Sequence, residues 1–317
     1  MTNRFKPEGM LEKTKENAEA LSCVAALERA CRTGQILEAP VMLCDSGMRL
    51  HVDLGCMRGV IEREEALYCR PNESLKDIAI ITRVGKTVAF KILGFAEEGG
   101  ERIALLSRRA VQRDCVSQFL SSLTPGDIIP ARVTHLENYG AFVDIGCGVS
   151  SLLSIDCISV SRIGHPRDRL TCGMLLNVVI KSLDKSLNRI FVTLKELLGT
   201  WEENTAQFKA GETVVGRIRS IESYGIFVEL TPNLAGLAEL RGSGNAPVRC
   251  AVGDVAAVFI KSIIPDRMKV KLVIIDAYPA SDPPEPLKYY IDVEKTAHID
   301  YWEYSPACST RLIETVF

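Results

Sequence analysis

GDIIPARVTHLENYGAFVDI, Gly126–Ile145, returns 85 positions later as GETVVGRIRSIESYGIFVEL, Gly211–Leu230. Seven of the 20 paired positions are identical: Gly, Arg, Glu, Tyr, Gly, Phe and Val. The second halves also match, GMLLNVVIKSL from Gly173 against GDVAAVFIKSI from Gly253, at an offset of 80. A weaker copy begins at Gly34, where VDLGC at Val52 mirrors VDIGC at Val143 and ERIALLS at Glu101 mirrors NRIFVTL at Asn188. Self-similarity at a fixed period marks a repeat architecture. Three units follow one another, over residues 34–115, 124–196 and 210–276.

Each unit reads as β. Ile128–Leu136, Ala141–Ile145, Asn177–Leu183 and Arg189–Leu194 are short and rich in Val, Ile and Phe. Glycine and Asp/Asn/Ser clusters separate them. Five short strands in some 70 residues suit a small closed barrel, which removes exposed edges. The expected fold is mostly β: three tandem five-stranded OB-type barrels with an N-terminal helix and short helical linkers. The helix is expected at Leu11–Cys31, within 1–33, because the stretch lacks Gly and Pro and Gly34 lies just beyond it. A helical linker is expected at Glu196–Phe208, between units two and three (197–209). Residues 277–317 combine an extended connector, ASDPPEP, with an aromatic, acidic tail holding Tyr289, Tyr290, Tyr301, Trp302 and Tyr304.

Strand alternation puts Ala141, Val143 and Ile145 on one face and Phe142 and Asp144 on the other. The same register pairs Phe227 with Glu229. A phenylalanine on the polar face forgoes core burial. Tyr139 and Tyr224 stand three residues earlier, across Gly140 and Gly225, where a bulge would bring both rings to one side. Adjacent exposed rings flanked by cations form a stacking platform for unpaired bases. The cations are Arg132, Lys181 and Arg189 in unit two and Arg217, Lys261 and Lys269 in unit three. The bland alternative stays open: the rings pack against the linkers as ordinary cover. Arg162, Arg167 and Arg169 of SRIGHPRDR read equally as surface charges or as phosphate contacts.

PGDIIPARVTHLENYGAFVDIGCG, DCISVSRIGHPRDRLTCG and VVIKSLDKSLNRIFVTLKE resemble the S1 RNA-binding domain, the OB-fold repeat of the ribosomal protein S1 family. The whole chain, including GTWEEN and the aromatic tail, is most similar to the short S1-like proteins of low-GC Gram-positive bacteria. The resemblance implies RNA contact by Tyr139 and Phe142, by Tyr224 and Phe227, and by the last-hairpin cations Arg189 and Lys269. A third-strand histidine of the family is replaced by Ser154 and Ala238. In unit one, His51 stands at the phenylalanine position and no tyrosine precedes it. The resemblance further implies docking of residues 1–115 on the small ribosomal subunit, with later repeats holding mRNA.

Composition bounds the function. The formal charge of −2 excludes a basic coat for duplex DNA, and residues 277–317, with 3 basic and 7 acidic side chains, supply the acidic excess. No apolar run approaches a membrane span, and the first residues have no signal-peptide core, so a cytoplasmic protein is expected. Eleven cysteines without a CxxC pair read as free thiols, mostly small buried hydrophobes. Four histidines stand in no GxSxG, HExxH or Cys–His context, and no phosphate loop occurs. Glu62, Glu64 and Glu65 read as the start of a short exposed helix. The expectation is non-catalytic binding of single-stranded RNA, with no metal, cofactor, small-molecule substrate or membrane partner. The rival reading is an adaptor that grips RNA-processing or RNA-degrading enzymes.

Overall fold

The computed structural model describes residues 4–69, 74–184, 189–239, 250–280 and 286–317. Its chain order is α1 (Lys15–Leu21), α2 (Val24–Thr33), β1 (Leu37–Cys44), β2 (Leu50–Asp53), β3 (Arg58–Ile61), α3 (Asp77–Ile81), β4 (Thr87–Glu98), β5 (Glu101–Ser107) and α4 (Arg108–Gln118). It continues through β6 (Ile128–Glu137), β7 (Gly140–Asp144), β8 (Ser150–Ser154), β9 (Leu175–Asp184), β10 (Arg189–Thr193) and α5 (Trp201–Thr205). The last elements are β11 (Thr213–Glu222), β12 (Gly225–Thr231), β13 (Leu234–Ala238), β14 (Val255–Ile264), β15 (Lys269–Tyr278), β16 (Tyr301–Glu303) and β17 (Glu314–Val316).

The fold is mostly β, with three closed five-stranded barrels: β1–β5, β6–β10 and β11–β15. Each closes through a parallel pairing of its third and fifth strands, as in Leu237 opposite Lys271. Inward positions are the aliphatic ones the alternation assigned, including Ala141, Val143, Ile145 and Val228. Within each barrel, closure gives every strand two neighbours and removes the flat edge that would template aggregation.

The barrel ends are stoppered from outside the repeats. Leu27 and Ala30 of α2 join Leu37, Leu50, Phe90 and Leu106 in the first core. Trp201 of α5 and Trp302 and Tyr304 of the tail join Ile218, Val228, Val258 and Leu272 in the third. The Tyr304 hydroxyl donates to the carbonyl of Asn233. Truncating Trp302 to Ala should cost about 3–5 kcal/mol, as for a buried aromatic. A melting midpoint shifted by only a degree or two would show that the tail merely lies on the surface.

The chain divides into two compact units: residues 1–123 with 130–132 and 143–151, and the remainder. This division passes through the second barrel rather than between repeats. In the first unit, Asp144 accepts N–H bonds from Glu8 (2.7 Å), Gly146 (2.8 Å) and Gly148 (2.9 Å). Arg108 holds the Glu8 carboxylate through Nε (2.6 Å) and Nη2 (3.0 Å). Glu38 accepts the N–H groups of Gly9, Leu11 and Glu12 at 2.8–3.0 Å.

In the second unit the tail pairs with the start of β6. Ile128 N–H donates to Ala297, and Ile299 N–H donates to Gly126. His298 sits between Asp127 (2.7 Å) and Asp300 (3.2 Å). The bond to Asp127 chiefly holds its pKa above the ordinary histidine value. A raised histidine stabilises the folded chain fully below the ordinary value of about 6.5, and the contribution vanishes as pH climbs through the raised one. His298→Gln should therefore lower the melting midpoint at about pH 5.5, with the difference from the parent shrinking as pH rises past the ordinary value of about 6.5. The opposite order would refute this account of the latch.

Several local expectations are corrected. The helix at 11–31 is two helices, because Ser22 ends α1 and Cys23, extended at φ −159°, starts α2. The linker at 196–208 is a 3-10 turn, Lys195–Leu198, and then α5, which Thr200 caps through the Glu203 N–H. Arg63–Glu65 form a single 3-10 turn. All eleven cysteines are free, but only Cys115, Cys147 and Cys157 are buried. Residues 281–285 of the ASDPPEP connector (280–286) fall outside the described residues. Among those described, no helix is long and apolar enough to cross a membrane.

Candidate nucleic-acid interface

β11 ends at Glu222, which pairs with Gly225, so Ser223 and Tyr224 form a two-residue hairpin turn. Asn138 and Tyr139 hold the same place between β6 and β7. The following glycine is required by close approach. A Cβ on Gly140 would stand 2.5 Å from the Leu153 carbonyl oxygen, and one on Gly225 2.7 Å from that of Ala238. At Gly225 the expected bulge is absent, and in β11 the register shifts between Ile218 and Ser220 instead. The tight turn itself delivers the tyrosine to the phenylalanine.

The resulting ring pairs match. Tyr139 and Phe142 have centroids 6.3 Å apart at 89°, and Tyr224 and Phe227 are 6.1 Å apart at 88°. Edge-to-face contact at this distance fixes one ring against the other. The tyrosines are the accessible members, at 56% and 63% exposure, while both phenylalanines are half-buried. Phe227 pairs with Leu237 of β13. Leu152 holds the equivalent position in β8, next to β7 in its sheet. These half-buried leucines extend the apolar floor beside each ring pair, and sequence reasoning missed them. Their signal was present, since leucine recurs at the offset of 85.

Asp144 and Glu229 share the register of the phenylalanines but are buried, which corrects the expected exposed carboxylates. Each faces away from its barrel core and is covered by other chain. Asp144 lies under the Glu8 segment. Glu229 accepts Arg169 through both oxygens, with Nη1 at 2.6 Å, and Arg219 through Nε (2.7 Å) and Nη2 (3.0 Å). Arg169 is therefore removed from the candidate RNA contacts: it is 4% exposed and bonded to Glu229. Burial pulls its pKa down and Glu229 opposes the shift. Arg132 is half-buried, and its Nη1 donates to the Glu8 carbonyl (2.9 Å).

The other cations differ. Arg162, Arg167, Arg189, Lys261 and Lys269 are exposed. Lys181 is exposed as well, and its Nζ donates to Cys157 Sγ at 3.0 Å, which holds the ammonium above its usual range. Arg217 is half-buried and reaches the Gly253 carbonyl at 3.3 Å. Ser154 donates to Asp156, and Ala238 is fully buried, so neither supplies the contact a third-strand histidine would.

Among the described residues the first barrel has no ring pair. His51 is buried, with Nε2 3.1 Å from Asp45 Oδ2. Among the described residues no group of three or more His, Cys, Asp and Glu side chains could hold a metal.

Residues 122–195 match the model of the S1 RNA binding domain. The second barrel is an S1 RNA-binding domain. Small ribosomal subunit protein bS1 of Staphylococcus haemolyticus is 27% identical to this chain over 279 residues, covering 85% of the chain and 68% of that protein. Its counterpart in Staphylococcus saprophyticus is 32% identical over 180 residues, covering 54% and 46%. A solved multidomain protein with nucleic acid binding domains from Streptococcus pneumoniae superposes at a TM-score of 0.23 and 14% identity, over 76% of this chain and 73% of that one. The S1 domain's ring pair, Tyr139 and Phe142, is the one the third barrel repeats in the same geometry.

Proposed function

We propose that the chain binds single-stranded RNA without catalysis, as an S1-like factor that holds mRNA at the small ribosomal subunit in the cytoplasm. The observation that carries this reading is the recurrence of one edge-to-face ring pair on two barrels, at 6.3 and 6.1 Å. Rings offered this way stack unpaired bases with little sequence preference, and cations around them meet the phosphates. Tyr139 and Phe142, then Tyr224 and Phe227, form the two platforms. Arg162, Arg167, Lys181, Arg189, Arg217, Lys261 and Lys269 supply the phosphate contacts. The ribosomal part of the reading is supported by the small-subunit names of the relatives.

Roughly four to six neutralised phosphates on a single strand should give a salt slope of about −3 to −4. Fluorescence anisotropy of a labelled pyrimidine oligonucleotide against salt measures it. A slope near zero would remove RNA from the function. Mass spectrometry of ribosomes pelleted at low and high salt tests the ribosomal part, and absence from the low-salt pellet would sink it. The full chain is the proper material, because Glu8 and Arg108 complete the loop around Asp144 in the second barrel.

A further inference from the structure

The outer surface of β11, β14 and β15 carries an uncovered apolar face. Val215 lies opposite Ala257, and Phe259 lies opposite both Thr213 and Val273. Val215, Phe259, Val273 and Ile275 are exposed, Val215 at 61% and Ile275 at 54%. Ile275 is the extra residue of a bulge, since Val258 pairs with Ile274 and Ala257 with Asp276. The bulge keeps Asp276 on the outer face, in line with Ala257.

The other two barrels cover this same face with their own chain. Val179 and Thr193, eighty residues before Phe259 and Val273, are fully buried. Thr193 is bonded to Glu196, and the Tyr289 hydroxyl accepts the Asn177 N–H. In the first barrel, Lys91 takes the place of Phe259 and pairs with Asp114 of α4 at 2.5 Å. The Ala89 N–H there donates to the Glu8 carboxylate, and Ser107 caps α4. Among the described residues nothing does the same for the third barrel. A contiguous apolar face of this kind marks an association surface.

The charge along β15 identifies the occupant. Its outward positions run Lys269, Lys271, Val273, Ile275, Asp276 and Tyr278: cations at one end, an apolar centre and an anion one step before the aromatic that ends the strand. Such a surface is complementary to itself after a half-turn, which is the condition for an isologous contact. We propose that the third barrel pairs through this face with a second copy of the chain. The two-fold axis passes between Val273 and Ile275. Lys271 of one copy then meets Asp276 of the other, twice by symmetry, and two sheet faces pack across aliphatic side chains.

Sedimentation velocity on nuclease-treated, RNA-free full chain, from micromolar to hundreds of micromolar, tests this. A reversible monomer–dimer equilibrium is expected, and Ile275→Lys should abolish it. Lys271→Glu and Asp276→Lys should each weaken dimerisation about tenfold or more through like-charge contacts, and the double reversal should restore it. Circular dichroism confirms that each variant is folded. A 34.9 kDa monomer at every concentration would overturn the proposal and leave the face to a different partner. Single reversals without effect, or a double reversal that fails to restore pairing, would overturn it as well.

Discussion

Tyr139→Ala combined with Tyr224→Ala is expected to weaken binding of an unstructured pyrimidine RNA about a hundredfold, since base–aromatic stacking contributes about 1–3 kcal/mol per base. The melting midpoint should barely move, because both rings are largely exposed on hairpin turns. Phe142→Ala and Phe227→Ala should also weaken binding, but with a loss of stability, because these rings are half-buried against their neighbours. Val143→Ala and Val228→Ala point into the barrels; each should cost about 0.5–3 kcal/mol of stability with RNA affinity retained by the folded fraction. Unchanged affinity in the double tyrosine variant would show that the rings are surface cover and that the phosphate contacts act alone.

Glu229→Ala is expected to be among the most destabilising single substitutions in the chain. It strands Arg169 and Arg219, both desolvated, without their shared anion. Removing one partner of a buried ion pair costs about 3–5 kcal/mol, whereas replacing the whole group by well-packed apolar side chains is often neutral. Arg169→Met with Glu229→Leu should therefore recover much of what Glu229→Ala loses. Chemical denaturation of the two variants measures the difference. Equal midpoints for Glu229→Ala and the parent would mean that water reaches the pair and screens it.

The barrels and the ring pairs were legible because local alternation determines them. Phe142 beside Val143 tells an observer which side chain is inward, and a repeat at an offset of 85 doubles the signal. Asp144 and Glu229 were misjudged for a related reason. Alternation says which side of a sheet a residue occupies, and it carries no information about what lies on that side. The arginine that buries Glu229 is 60 residues away, and the N–H that Asp144 accepts from Glu8 is 136 residues away. Arg169 was ambiguous between surface charge and phosphate contact, and its true partner was another carboxylate of the same chain. The tail was readable as aromatic and acidic. That Trp302 and Tyr304 would finish the third core was beyond reach, because the aromatic pattern names no partner.

Tandem repeats are commonly treated as interchangeable beads, to be cut out, shuffled or multiplied at will. The seating of Glu8 against Asp144, and of Tyr304 against Asn233 and the Trp201 backbone, removes that freedom here. The second and third barrels are each finished by residues encoded far from them. A graft that exchanged only the second repeat for another S1 domain would sever bonds to the first sixty residues and to the last thirty at once. Evolution acting on this chain therefore has the whole arrangement as its unit of inheritance, and recombination within it carries a cost that its repeat sequence conceals.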